Sequence, residues 1–219
     1  MSTSRFVLLL SCGAVLQLTA AFPQQGVYRD TQTNTSDHLS SARDTMLAST
    51  LEILANQSSN ILHISNHVMT NLVLELEMTP DRTPKVNKII KRFQKALKHI
   101  DNINFDDQQA ELEKIFAAVD EVGAIFDDIE LLPDGNDIKI LENALEKLGR
   151  KSVAEKFGNT MEQTILQLTK TFEDFENSLS DEEKQEVPEM IDWIKRFKES
   201  DNFEEQLGPL IQEFLDFFD

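Results

Sequence analysis

Residues 83–100 carry apolar side chains at the spacing of one helix face, and this pattern points to the fold class of the chain. The apolar positions are Val86, Ile89, Ile90, Phe93, Leu97 and Ile100. Thr83 can cap the first turn, and Pro84 suits the first helical position because its missing N–H would have no partner there. The spacing therefore predicts an amphipathic helix that begins at Pro84.

The opposite face of this predicted helix is basic, although the chain as a whole is acidic. Its cationic residues are Lys85, Lys88, Lys91, Arg92, Lys95 and Lys98. The full sequence has 39 acidic and 21 basic residues and a net charge of −18. Three interpretations are open. The helix could neutralise acidic neighbours in a core, contact lipid when a bundle loosens, or bind an anionic partner such as a glycosaminoglycan, a lipid headgroup or an acidic receptor face.

The first 21 residues have the parts of a secretory signal peptide. Arg5 precedes an apolar run at 6–18, and Thr19 and Ala21 supply small residues for cleavage. The run is shorter than the ~20 apolar residues that span a bilayer. We therefore expect a cleaved signal peptide at 1–21, a secreted extracellular chain and no transmembrane anchor.

Cys12 is the only cysteine, so cleavage would leave a chain without disulfides. At this length a hydrophobic core can stabilise a domain without them. Cysteine catalysis and cysteine-ligated zinc are excluded for such a chain. Asn34 and Asn56 each begin an N-x-S/T sequon, and both are candidates for glycosylation on the secretory route.

The remaining chain divides into a tail and a helical region. Residues 22–37 are polar and lack periodicity, which predicts a flexible N-terminal tail. Residues 38–219 repeat helical patterns and show no alternation of β-branched residues. We predict one all-α domain, a bundle of roughly six to eight amphipathic helices, with a subdivision near Pro133 left open.

The first helical pattern runs from near His38 to about Met78. The polar residues 56–60 compete for backbone hydrogen bonds, so the pattern predicts either one long helix or two shorter ones. Two prolines between 79 and 84 then end the pattern.

Later helix ends are marked by capping residues and proline. Gly149 is expected at the end of a short helix, and Ser152 is a candidate cap for the next. Ser180 and Glu183 have the spacing of a capping box. Pro188 should either bend the helix that follows or stand in the first turn of another.

Metal and cofactor sites are not expected. His63 and His67 stand four residues apart, as in zinc sites, but the glutamate of a metalloprotease helix is missing between them and a third ligand is not evident. The acidic stretch 127–137 has Leu141 where a calcium-binding EF-hand would need a glutamate six residues after the glycine. We predict no metal and no cofactor.

The sequence favours a binding protein over an enzyme. It contains no G-x-S-x-G, no phosphate-binding glycine loop and no H-E-x-x-H motif. Its negative charge disfavours nucleic acid as a partner. We expect a secreted, non-enzymatic protein that binds an extracellular protein or a polyanion, for example an effector in a fluid such as saliva or haemolymph.

The alternative function is a carrier of fatty acid or another lipid inside a helical bundle. The residues that could form its lid or an exposed apolar patch are Phe214, Leu215, Phe217 and Phe218. The same residues would equally suit a final helix packed on the core.

Overall fold

The structure is a computed structural model that describes residues 37–133, 135–200, 210 and 212–218. The predicted signal peptide at 1–21, the predicted tail up to residue 36 and the sequon at Asn34 lie outside the described residues. They stay predictions.

The described residues form helices, turns and short connections without a β-strand. The elements are α1 (Asp37–Met78), α2 (Pro84–Asp101), a 3₁₀ turn (Phe105–Asp107), α3 (Gln108–Glu130), α4 (Asn136–Lys147), α5 (Arg150–Ser178), α6 (Asp181–Glu186) and α7 (Pro188–Lys198). A C-terminal helical segment follows at 210 and 212–216. The prediction of an all-α bundle is confirmed.

Helix α1 is the longest of the described helices. Its 42 residues form one continuous helix, which extends for about 63 Å at 1.5 Å per residue. The polar run 56–60 does not interrupt it, because Gln57, Ser58 and Ser59 are buried. The Gln57 amide donates to the Gln167 side chain of α5 over 3.4 Å. Tertiary packing therefore stabilises a segment whose local preference for helix is weak.

The two halves of α1 contact different helices. Towards its C-terminal end, Asn66 donates to Asp101 of α2, and Glu75 pairs with Lys147 of α4. Towards its N-terminal end, His38 pairs with Glu183 of α6. Helices α2 and α6 therefore lie beside opposite halves of α1.

One connected cluster of buried apolar residues extends from Leu39 to Leu215. It includes residues on both sides of position 133, such as Phe126 and Leu141. Its largest fully buried side chains are Trp193, Phe93, Phe172, Phe197 and Phe214. None of the described helices combines the length and the apolar character that crossing a membrane requires.

Three of the predicted helix starts are present. The Thr83 hydroxyl accepts from the Val86 N–H over 3.1 Å, and Pro84 is the first residue of α2. Ser180 and Glu183 form the reciprocal hydrogen bonds of a capping box at α6. Pro188 begins a separate helix, α7, so the second of the two expectations for it is correct.

The prediction that Ser152 caps a helix is wrong. Helix α5 begins at Arg150, immediately after Gly149, and Ser152 already lies in its first turn. Gly149 adopts φ 78°, a left-handed conformation that glycine reaches without a side-chain clash. Leu148 and Gly149 therefore connect α4 to α5, and α5 begins without a side-chain cap.

Candidate functional site

Helix α2 packs against α1 and α3 through its apolar face. The residues buried there are Val86, Ile89, Ile90, Phe93, Ala96 and Ile100. Burial of this face fixes the rotation of the helix about its axis. The basic residues are therefore directed to its exposed side and to the boundary with α3.

Three cationic or imidazole side chains of α2 contact acidic residues of α3. Arg92 pairs with Asp128 at 2.5 Å and also donates to the Ala124 carbonyl. Lys95 pairs with Glu121 at 3.0 Å, and His99 Nδ1 lies 2.5 Å from the second oxygen of the same carboxylate. For these residues the interpretation as neutralising partners of an acidic helix agrees with the contacts.

Glu121 is the most constrained carboxylate at this boundary. Partial burial acts to raise its pKa, but hydrogen bonds from Lys95 and His99 and their charges outweigh it and hold the pKa below the ordinary value of 4.5. Glu121 therefore stays ionised at neutral and mildly acidic pH and fixes Lys95 at the edge of the exposed face.

The other lysines of α2 have no such partner. Lys85, Lys88, Lys91 and Lys98 are exposed, and within the part of the chain that the structure describes none of them forms an ion pair. Lys88, Lys91, Lys95 and Lys98 are separated by three, four and three residues, so they follow one line along the helix. We call these four residues the lysine stripe; it is about 15 Å long.

Carboxylates border the lysine stripe on both sides. On the α1 side, Glu77 accepts from Gln94 over 3.0 Å, and Asp101 accepts from Asn66 over 3.3 Å. On the α3 side lie Glu121 and Asp128. The stripe is thus a narrow cationic line on an acidic surface. Sequence reasoning found its lysines but could not assign the pairing of Lys95 with Glu121 of α3.

The apolar C-terminal residues lie on the core. Phe214 is fully buried and Leu215 nearly so, while Phe217 and Phe218 are partly buried. Phe214 packs against Phe172 and Trp193 with ring centroids 5.3 and 5.2 Å apart. Their burial agrees with a final helix packed on the core.

Two polar contacts fix this segment in place. The buried Trp193 indole donates to the Leu210 carbonyl over 2.9 Å. Arg43 of α1 donates to the Phe217 carbonyl over 2.6 Å, and its guanidinium lies 5.3 Å from the centre of the Phe218 ring. Phe217 and Phe218 are therefore attached to the N-terminal half of α1.

The remaining sequence candidates lie apart from the stripe. Asn56 is exposed on α1, whereas Ser58 of its sequon is fully buried. His63 and His67 are both exposed, and the His63 ring lies 4.4 Å from the Phe105 ring. Among the described residues, no group of three potential ligands could hold a metal ion.

The end of α3 carries the acidic stretch that partly matches a calcium loop. Burial raises the pKa of Asp127, and the neighbouring Asp128 raises it further. Burial and then Asp127 raise the pKa of Glu130 in the same way. Asp127 and Glu130 therefore lie next to like charges, while Asp128 pairs with Arg92 of α2.

Sequence reasoning did not foresee a groove of about 390 Å³ between the first turns of α1 and the end of α5. Its polar lining includes Ser41, Thr45 and Ser49, which recur every four residues, together with Thr171, Asp174 and His38. His38 Nδ1 lies 2.8 Å from a Glu183 carboxylate oxygen next to it. The regular spacing of the hydroxyls was the signal that could have indicated a polar helix face here.

Comparisons with protein-family models, with curated proteins and with solved structures find no match for this chain. Its function must be inferred from its own residues.

Proposed function

We propose that this chain is an exported, non-enzymatic binding protein that holds an anionic extracellular partner on the lysine stripe of α2. The observation that carries the proposal is the exposure of Lys88, Lys91 and Lys98 without an acidic partner in the described residues. A lysine that served only to stabilise the bundle would be expected to contact one of the many carboxylates nearby. These three remain available to a ligand.

The acidic surface outside the lysine stripe limits where an anionic partner can bind. The chain carries a net charge of −18, so an anionic partner is repelled by most of the surface. Attraction at one line of lysines then sets the orientation in which the partner approaches. Such charge complementarity contributes mainly to specificity and to the rate of association.

Export is a separate part of the proposal and rests on the features of residues 1–21. Expression of the full chain in a eukaryotic host should yield a protein in the medium whose first residue is Phe22. N-terminal sequencing and intact mass measure this directly, and the mass also shows whether Asn34 or Asn56 carries glycan. A product retained in the cell with Met1 intact would contradict export.

Retention on a sulfonate cation exchanger at neutral pH tests the binding face. A protein with this net charge should flow through unless a local cationic patch binds the resin. We expect retention of the wild-type protein at low salt, and loss of retention in the variant K88Q/K91Q/K98Q. The matched control is K139Q/K151Q/K156Q, which removes three exposed lysines outside α2. It has the same net charge as K88Q/K91Q/K98Q.

The control should elute like the wild type. Equal loss of retention in both variants would mean that net charge, and not the stripe, determines binding. Flow-through of the wild-type protein at low salt would contradict the proposal. Transport of an apolar ligand stays the alternative prediction, and lipid released from the natively purified protein on denaturation would favour it.

A further inference from the structure

We infer that the partner of the lysine stripe is a linear polyanion of the sulfated polysaccharide class. This inference rests on the proposed function and names the chemical class of its ligand. Three features carry it: the width of the stripe, the carboxylates that border it and the burial of the apolar face of α2.

The stripe is one lysine wide. Lys88, Lys91, Lys95 and Lys98 follow each other along the axis of α2 at intervals of about 4.5 to 6 Å. Lys85 continues the basic series by one turn towards the start of the helix. A flexible polymer with an anionic group on successive units can bring several of these groups to successive ammonium groups. The stripe therefore fits a chain that runs along the helix.

The bordering carboxylates disfavour a broad anionic surface. Glu77 and Asp101 on one side and Asp128 on the other are exposed, and Glu121 is partly exposed. A flat bilayer or a wide acidic protein face that touched the stripe would also approach these like charges, and this costs energy. A linear ligand on the helix axis contacts the lysines and passes between the two rows of carboxylates.

Helix α2 also lacks the apolar contacts of a membrane-bound helix. Helices that lie on a bilayer insert an apolar face below the headgroups. The apolar face of α2 is buried in the core, and the exposed residues of the helix are Pro84, Lys85, Asn87, Lys88, Lys91, Lys95, Lys98, His99 and Asp101. In this folded state only electrostatic attraction is available, which favours a highly sulfated chain.

The experiment compares two probes on the full secreted chain. Size-defined heparin oligosaccharides represent the linear ligand, and phosphatidylserine-containing vesicles represent the anionic surface. We expect heparin binding that weakens with salt, since bound polyanions release counterions, and no co-sedimentation with vesicles. K88Q/K91Q/K98Q should bind heparin at least about tenfold more weakly and with a shallower salt dependence. K139Q/K151Q/K156Q should bind like the wild type.

A second variant tests the role of the carboxylates that border the lysine stripe. E77Q/D128N removes one carboxylate from each side of the stripe while leaving its lysines in place. If the carboxylates exclude flat surfaces, this variant should bind vesicles while retaining heparin binding. Failure to gain vesicle binding would contradict the border argument.

The outcomes separate the two proposals. Vesicle binding by the wild-type protein without heparin binding would overturn the polysaccharide inference and leave the proposed anionic partner intact. Absence of binding to both probes and to the cation exchanger would overturn the proposed function itself. Heparin binding that both lysine variants retain equally would place the site elsewhere and overturn the inference.

Discussion

At the residue scale, Glu121 makes the fold sensitive to acid. Its pKa is held below 4.5 by Lys95 and His99, so the native state favours the ionised form more than the unfolded state does. A carboxyl with a depressed native pKa stabilises the fold above its unfolded pKa, and this contribution is lost as the pH falls through the native pKa. The stabilisation should therefore be present at neutral pH and decrease as the pH falls below 4.5 towards the lowered native pKa.

We predict that E121Q lowers the free energy of unfolding at pH 7 by about 1 kcal/mol or less, because its partners are largely exposed to solvent. The difference from the wild type should shrink as the pH is lowered through 4.5. Urea unfolding followed by circular dichroism at several pH values measures it. A difference that stays constant with pH would mean that Glu121 acts through packing.

Phe214 is the residue at which the aromatic contacts of the C-terminal segment converge. It is fully buried and contacts both Phe172 and Trp193. F214A should lower the free energy of unfolding by about 3–5 kcal/mol, since it leaves a cavity that rigid neighbours cannot fill. Because Trp193 is the only tryptophan, its fluorescence reports the unfolding of this region directly.

The control for F214A is L166A, which truncates a side chain that is 62% exposed. That change should alter the free energy of unfolding by no more than about 0.5 kcal/mol. A small effect of F214A, close to that of the control, would mean that the C-terminal segment is only loosely attached.

At the element scale, the first turn of α2 positions the helix that carries the lysine stripe. Thr83 caps the helix through the Val86 N–H, and its hydroxyl also donates to Asp137 of α4 at 2.5 Å. One hydroxyl therefore connects the first turns of two helices. Thr83 lies two residues before Lys85, the first residue of the basic series.

We predict that T83V, which keeps the shape of the side chain but removes the hydroxyl, costs about 1–2 kcal/mol of unfolding free energy. T83S retains the hydroxyl and should remain within about 0.5 kcal/mol of the wild type. Thermal and urea unfolding of the three proteins give the comparison. Equal stability of T83V and T83S would show that the cap contributes little.

The sequence predicted the elements better than it predicted their partners. The caps at Thr83 and Ser180 depend on residues three apart, which can be seen in the sequence alone. The continuity of α1 through 56–60 depends on burial against α5, more than a hundred residues away. Likewise, the six basic positions of α2 were predictable, but the pairing of Arg92 and Lys95 with α3 depends on the packing of two helices.

At the scale of the whole molecule, the lysine stripe and the aromatic contacts of the C-terminal segment lie beside different halves of α1. The stripe lies beside its C-terminal half, and Arg43 fixes the segment to its N-terminal half. Because no described residue is shared between the two regions, changes in them should be independent. Substitutions of the stripe should therefore leave the fluorescence of Trp193 unchanged.

Added salt should change the stability of the molecule and the binding of an anionic ligand in opposite directions. With a charge of −18, the compact state is weakened by self-repulsion at low ionic strength, and added salt should screen it. Raising the ionic strength from about 0.01 M to about 0.15 M shortens the Debye length from about 30 Å to about 8 Å. We predict that the melting temperature rises over this range while retention on an anionic ligand falls.

The variant K88Q/K91Q/K98Q provides a second test of the effect of self-repulsion on the melting temperature. It removes three positive charges that form no ion pair in the described residues, so it adds to self-repulsion without breaking a contact. Its melting temperature should be lower than that of the wild type at low salt and should approach it as salt is added. Calorimetry at matched salt concentrations measures both curves. A melting temperature that falls with salt in the wild-type protein would mean that the ion pairs between helices, such as Arg92 with Asp128, outweigh the repulsion among the excess carboxylates.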